Sequence, residues 1–234
     1  MIFRRRRNYD ASGTTIMKRL RRLYRPAWLG TLRRTTPLSD RWGYDRGTPV
    51  DRYYIERFLD AHRADIHGRV LEIKDSAYTD RFGRGVERRD VLDINGANPH
   101  ATIVADLTAA DTIPSDSFDC FVLTQTLQFI PDTRAAVTEA HRILRPGGVL
   151  LVTVPVVSRT ERQLVDYWRF TSAGAEALFG PVFGAEQVTV QSYGNVLTCV
   201  AFLTGMAREE LSRRELDAHD EHFPLLIGVR AVKR

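Results

Sequence analysis

The sequence predicts a doubly wound α/β domain on a seven-stranded, mostly parallel sheet, preceded by a basic helical N-terminal extension. Three observations carry this. Short, near-continuous apolar stretches such as GRVLEI and GVLLVTVP alternate with segments of helical period, the pattern of a parallel sheet covered on both faces. A helix ending near Pro146-Gly147-Gly148 gives way directly to a strand. The charge is also split: residues 1–34 carry eleven Lys or Arg and one acid, for +10, whereas the other 200 residues hold 23 bases and 28 acids, for −5.

At 234 residues the chain can bury one substantial core. The division expected is a basic arm and connection over residues 1–47 and a domain over 48–234. Hydrophobic residues at 43% and charged residues at 27% suit a soluble globular protein. The best apolar run, Val196 to Met206, spans only 11 residues, too few to cross a bilayer. MIFRRRRNYD lacks the apolar stretch of a secretory signal. Cys120 and Cys199 both lie in apolar surroundings and read as reduced core residues, which points to the cytoplasm. The excess of arginine over lysine, 31 to 3, is ascribed to genomic base composition.

The elements follow in chain order. Residues 1–15 have the composition of a disordered segment. From Ile16 to Tyr24, Ile16, Leu20 and Leu23 share one helical face among basic residues, and Pro26 ends the segment. That helix either rests on an anionic membrane or is a solvated tail with one docked turn. In TPVDRYYIERFLDAH, Thr48 and Asp51 match a capping box around Pro49, and Tyr54, Ile55, Phe58, Leu59 and His62 form an apolar stripe. Strands follow at Gly68–Ile73, Arg89–Ile94, ATIVADL and Phe118–Leu127. A helix over Pro131–Arg145, with Ala136, Val137, Ala140, Ile143 and Leu144 as its apolar positions, leads to the fifth strand. A helix over Ser172–Phe179 and strands at Gln187–Tyr193 and Pro224–Lys233 complete the set.

Asp90 to Pro155 resembles the class I S-adenosylmethionine (SAM)-dependent methyltransferases. The resemblance is carried by VLDI, VADLTAADTIPSDSFDCFVLTQTLQFI and EAHRILRPGGVLLVTVP, in that order, and extends over about residues 48–234. It implies SAM as cofactor. In such folds ligands bind beyond the carboxyl ends of the strands, where strand order reverses. The resemblance gives Asp93, ending strand two, the ribose hydroxyls. It gives Asp106 the adenine amino group, with the backbone of Leu107 beside it. Thr124 and Gln125 lie near the methionine part, and Glu72 contacts the cofactor directly or through the loop backbone. The loop VLEIKDSAYTDRFG departs from the family: Lys74 and Ser76 stand where glycines are expected. The short interval before strand two allows the following helix only a turn or two.

The acceptor pocket of this fold is assembled from the N-terminal helix and the loops after strands four and five. Tyr53, Tyr54, Gln128 and DYWRFT (Asp166 to Thr171) occupy those places. The last resembles a segment recurring in methyltransferases of surface-glycan and glycosylated-product pathways. Trp168 offers a stacking surface and Arg169 directional hydrogen bonds to a carbohydrate acceptor, with Asp166 or Tyr54 as base; the alternative is a folded loop with Trp168 in the core and an Asp–Arg ion pair. WGYDRGTP (Trp42 to Pro49) reads as a lid or a tight connection. His141 is placed on the exposed side of its helix. His219 and His222 read as surface residues, and no metal site is expected.

Three functions compete: O-methylation of a sugar hydroxyl on a glycan or glycosylated metabolite, a methyltransferase-like scaffold without methyl transfer, and nucleic-acid methylation. The Lys74 and Ser76 departures motivate the second. The confinement of basic charge to the arm argues against nucleic acid. No G-x-G-x-x-G follows the first strand, which argues against a nicotinamide enzyme.

Overall fold

The computed structural model describes residues 23–24 and 30–234. Residues Met1–Thr36 and Pro37–Arg234 form separate units. The basic helix expected over Ile16–Tyr24 lies outside the described residues except for Leu23 and Tyr24, which are helical and exposed. Residues 37–47, expected as connection, belong to the second unit, where the Leu38 N–H donates to the Thr204 carbonyl at 2.7 Å.

The second unit is the doubly wound domain. Its strands are β1 (Gly68–Ile73), β2 (Val86–Asp93), β3 (Ile103–Val104), β4 (Phe118–Thr124), β5 (Leu144–Pro155), β6 (Val188–Tyr193) and β7 (Leu226–Val232), in the spatial order β3-β2-β1-β4-β5-β7-β6. The first five run parallel, while β7 is antiparallel to both β5 and β6. This is the seven-stranded, Rossmann-like class I methyltransferase fold.

Alternation along the strands divides the core in two. Val70, Cys120, Val122, Val149 and Leu151 pack with helix α1 (Val50–Ala61) through Tyr54, Ile55, Phe58 and Leu59. Leu71, Phe121, Leu123, Leu150 and Val152 pack with α3 (Thr133–Ile143) and α4 (Ser172–Phe183). Both cysteines are buried and free. The α1 contact is close: a Cβ on Gly228 of β7 would lie 2.5 Å from Phe58 Cδ2.

Several local expectations give way to tertiary contacts. The Thr48–Asp51 capping box does not form; Pro49 is the N-cap, without a side-chain cap bond. Thr48 is held elsewhere, its N–H on Glu209 Oε2 at 2.9 Å and its carbonyl receiving the Arg208 N–H at 2.8 Å. Helix α3 stops at Ile143, before the Pro-Gly-Gly turn, because Leu144 already pairs with Phe118 of β4. The third strand shrinks to two residues. His141 is half-buried rather than exposed, its ring 4.8 Å from that of Phe183. Helix α4 runs past Phe179 to Phe183, through Pro181. Beyond the expected elements lie α5 (Val196–Thr204), which is the apolar run and is capped by a reciprocal Asn195–Thr198 pair, and the short α6 (Arg213–Asp217).

Candidate functional site

The chain lays β1, β2 and β3 outward, then returns to place β4 beside β1. That reversal makes the carboxyl ends of β1 and β4 the switch point, where an open α/β sheet binds its ligand. Lys74, Asp93 and Gln125 directly follow or end β1, β2 and β4 there.

The loop after β1 is built on Glu72. Its carboxylate, 2% exposed, accepts the N–H groups of Tyr78 (3.1 Å) and Thr79 (2.8 Å), satisfying the start of helix α2 (Ala77–Phe82). Burial pushes its pKa up to about 7 against these hydrogen bonds. Glu72 therefore organises the loop by holding its backbone N–H groups. Lys74 has φ +74°, the left-handed conformation that a glycine adopts without strain. Such a conformation costs an ordinary residue about 1–2 kcal/mol. Ser76 is the N-cap position of α2 but makes no side-chain cap bond.

Asp93 is half-buried at the end of β2. Its Oδ1 accepts the Asn95 N–H at 2.9 Å and its Oδ2 the Asn98 Nδ2–H at 2.6 Å. A carboxylate has about four acceptor sites, so each oxygen keeps capacity for a hydroxyl. Asp106 is exposed and uses Oδ1 for the Thr108 N–H and hydroxyl, both at 2.8 Å. Leu107 is buried beside it. These groups suit a nucleoside: two carboxylates to accept hydroxyl and amino protons, flanked by an apolar side chain.

At the end of β4, Gln125 has φ +48° and its N–H donates to the Thr153 carbonyl at 2.8 Å. Thr124 is partly exposed and pairs with Thr153 of β5. Gln128 is buried and donates Nε2–H to the Gln125 carbonyl at 2.9 Å. Gln125 Nε2, Gln128 Oε1 and Thr153 Oγ1 are buried without a hydrogen-bond partner. Unpaired buried polar atoms are costly.

The segment 166–171 docks next to this point. The Gln128 carbonyl receives the N–H groups of Tyr167 (2.8 Å) and Trp168 (3.3 Å), and Trp168 Nε1–H donates to the Ile130 carbonyl at 2.9 Å. Trp168 remains 44% exposed, fixed but open on its surface. Arg169 and Asp166 do not present free groups. They form a bidentate pair at 2.5 and 2.9 Å, and Arg169 also reaches the carbonyls of Ser158, Arg159 and Trp168. This pairing holds the Asp166 carboxyl below its usual range, and its side chain is 5% exposed. Of the alternative reading of this segment, the Asp–Arg ion pair forms but Trp168 is not in the core; the expectation of Asp166 as base is corrected on the ground of that pair. Tyr54 is corrected likewise. It lies in the α1-side core, its hydroxyl donates to the Leu216 carbonyl at 2.9 Å, and burial pushes its pKa up to about 12. Phe170 lies in the core of the opposite sheet face, so Tyr54 does not face segment 166–171 across a common pocket.

Trp42 lies under Arg159, 3.5 Å from guanidinium carbon to ring centroid, joining residues 42–49 to the loop after β5. His219 Nε2 is 3.0 Å from Ser192 Oγ, and the His222 side chain is 78% exposed. Among the described residues no cluster of metal-ligating side chains occurs, and no helix is long and apolar enough to cross a membrane. Sequence reasoning missed Asn98; the only signal was its place among the turn-forming residues Asn95, Gly96 and Pro99, just after the strand-two acid.

Comparison with known proteins supports the fold. The family model described as a methyltransferase domain matches residues 61–152. A ubiquinone/menaquinone biosynthesis C-methyltransferase of Rhizobium leguminosarum is 29% identical over 124 residues, covering 50% of this chain and 43% of that protein. The chain thus spans less than half of that relative's length. An S-adenosylmethionine-dependent methyltransferase of Mesorhizobium loti superposes with TM-score 0.54 at 16% identity, over 79% of this chain and 100% of the other. The N-methyltransferase NodS of Bradyrhizobium japonicum, solved with S-adenosylhomocysteine, gives 0.51 at 16%, over 84% and 93%. The chain carries the class I methyltransferase fold, and its residues 61–152 match the methyltransferase-domain family model.

Proposed function

We propose that this chain is a SAM-dependent methyltransferase acting on a small-molecule acceptor seated against Trp168. The observation that carries the reading is the placement of Lys74, Asp93 and Gln125 at the carboxyl ends of β1, β2 and β4, beside the sheet's switch point, with a left-handed turn at Lys74. Asp93 holds the ribose, Asp106 and the Leu107 backbone hold the adenine, and Thr124 and Gln125 flank the methionine part. The bound sulfonium supplies an electrophilic methyl group; the protein's part is to align an acceptor with it. Gln128 Oε1, buried and without a partner, is the group assigned to orient that acceptor.

For the acceptor itself, a sugar hydroxyl remains the leading proposal. Trp168 is a fixed ring with an open surface, suited to a carbohydrate ring, whereas Arg169 contributes by holding the loop rather than by touching substrate. A carbon acceptor is the second reading. It is favoured by the C-methyltransferase relative and by the exposed Leu164, Val165 and Tyr167 beside Trp168, which suit an apolar molecule. For the arm, residues 1–34, contact with an anionic membrane surface is proposed from its +10 charge.

Titration calorimetry with SAM and S-adenosylhomocysteine tests the donor site. Binding by the wild type, weakened about 5- to 150-fold in Asp93→Ala and Asp106→Ala, is the expected outcome, from about 1–3 kcal/mol per lost buried hydrogen bond. Absence of heat with both ligands refutes it and favours the scaffold reading.

A further inference from the structure

Lys74 and Asp93 approach the proposed donor site from different strands, yet one side chain holds both. Asn98 donates from the same amide nitrogen to Asp93 Oδ2 at 2.6 Å and to the Lys74 carbonyl at 2.7 Å. An amide nitrogen carries two hydrogens, so both bonds form at once. The amide is fixed from its other end as well, because Asn98 Oδ1 accepts the His100 N–H at 3.0 Å. The opposite orientation would set the amide oxygen against two acceptors and its nitrogen against a donor.

We propose that Asn98 is a positioning residue of the donor site, clamping the Lys74 carbonyl and the Asp93 carboxylate into one unit and standing in for the glycine this loop lacks. The inference rests on the proposed binding of SAM and goes beyond it by assigning a residue outside the expected site. The physical need is specific. Lys74 sits at φ +74°, and without support its backbone would relax out of the left-handed region. Its N–H is already held by the Leu92 carbonyl at 3.0 Å; the Asn98 bond to its carbonyl ties the other side. The same amide fixes the direction of the Asp93 carboxylate, while the Asn95 N–H holds the other oxygen at 2.9 Å. A ribose arriving at Asp93 therefore meets an acceptor whose orientation is set in advance, beside a loop whose shape is set by the same amide. Aspartate cannot replace Asn98, because a carboxylate there would face a carboxylate and a carbonyl.

The test measures S-adenosylhomocysteine affinity by calorimetry, and melting temperature, for the wild type, Asn98→Ala, Asn98→Asp, Lys74→Gly and the Asn98→Ala/Lys74→Gly pair. Asn98→Ala is expected to lose about tenfold in affinity and Asn98→Asp more, the loss of one charge-assisted bond. Lys74→Gly alone should stay within about threefold of the wild type. Placed on Asn98→Ala it should recover part of the lost affinity, because glycine holds the turn without help. That rescue is the readout a merely structural role would not move. Wild-type affinity in Asn98→Ala overturns the inference while leaving the proposed donor site standing. A loss in Asn98→Ala that Lys74→Gly does not relieve also overturns it. If the wild type itself binds no S-adenosylhomocysteine, the reading beneath fails.

Discussion

Replacing Glu72 with glutamine should make the domain more stable above neutrality and remove a pH dependence that the wild type shows. Glu72 is 2% exposed and its pKa rises from 4.5 to about 7 on folding, burial outweighing the two backbone N–H bonds. The native state therefore holds this proton more tightly than the unfolded chain does. The resulting stability is fully present below pH 4.5 and is lost as pH rises through about 7. A shift of 2.5 units corresponds to about 3.4 kcal/mol. At pH 5 the unfolded carboxyl is already largely ionised, so about 2.5 kcal/mol remains, and at pH 8 almost none. Against this, glutamine accepts only one of the two N–H groups and turns an N–H toward the other, which costs about 1–2 kcal/mol. Urea unfolding at pH 5 and pH 8 reads both effects. The wild type should lose about 2.5 kcal/mol more than Glu72→Gln across that interval. Equal changes in the two proteins would refute the argument that this buried carboxylate governs the loop.

Two further outcomes follow from the site. Trp168→Ala should abolish methyl transfer while S-adenosylhomocysteine affinity stays within about twofold, since the ring is proposed to meet the acceptor and only its Nε1 is bonded; a matching loss of affinity would place Trp168 in the donor site instead. Deletion of residues 1–34 should leave a cooperatively folding domain, because Leu38 and residues 42–49 make their own contacts within it. Only the full chain should then sediment with anionic vesicles and be released by salt; equal sedimentation of both chains would refute a role for the arm.

The fold was legible because its signals were local and repeated. Buried strands and the helix before the Pro-Gly-Gly turn each announced themselves in short windows of sequence. The site was less legible, for reasons that particular residues show. Tyr54 read as a pocket residue because its helix borders the expected pocket, but the stripe it shares with Phe58 also made it core. Asp166 read as a base from its placement; that Arg169, three residues on, would take both its oxygens depends on how the loop curls back over the carbonyls of Ser158 and Arg159. Asn98 was invisible because its value lies in joining two strands that are neighbours in space but far apart in sequence. Lys74 read as a departure from the family, whereas its backbone adopts a left-handed conformation that a glycine takes without strain.

The place of β7 has a kinetic meaning. Strand β6 pairs only with β7, which lies between it and β5. Until residues 226–232 have inserted, β6 has no partner in the sheet, and β5 presents an open edge of its own. The order of assembly is thereby constrained: the parallel half can form first, and β6 can join only as part of a β6–β7 hairpin-like pair or after β7 has docked. During that interval Val188–Tyr193 and the apolar edge of β5 are available to strands of other molecules, the circumstance in which folding competes with aggregation. Long-range pairing of this kind also slows folding relative to helical proteins. Conditions that delay β7, such as a bulkier residue at Gly228 beneath Phe58, would therefore lower the yield of folded protein by more than their effect on final stability alone.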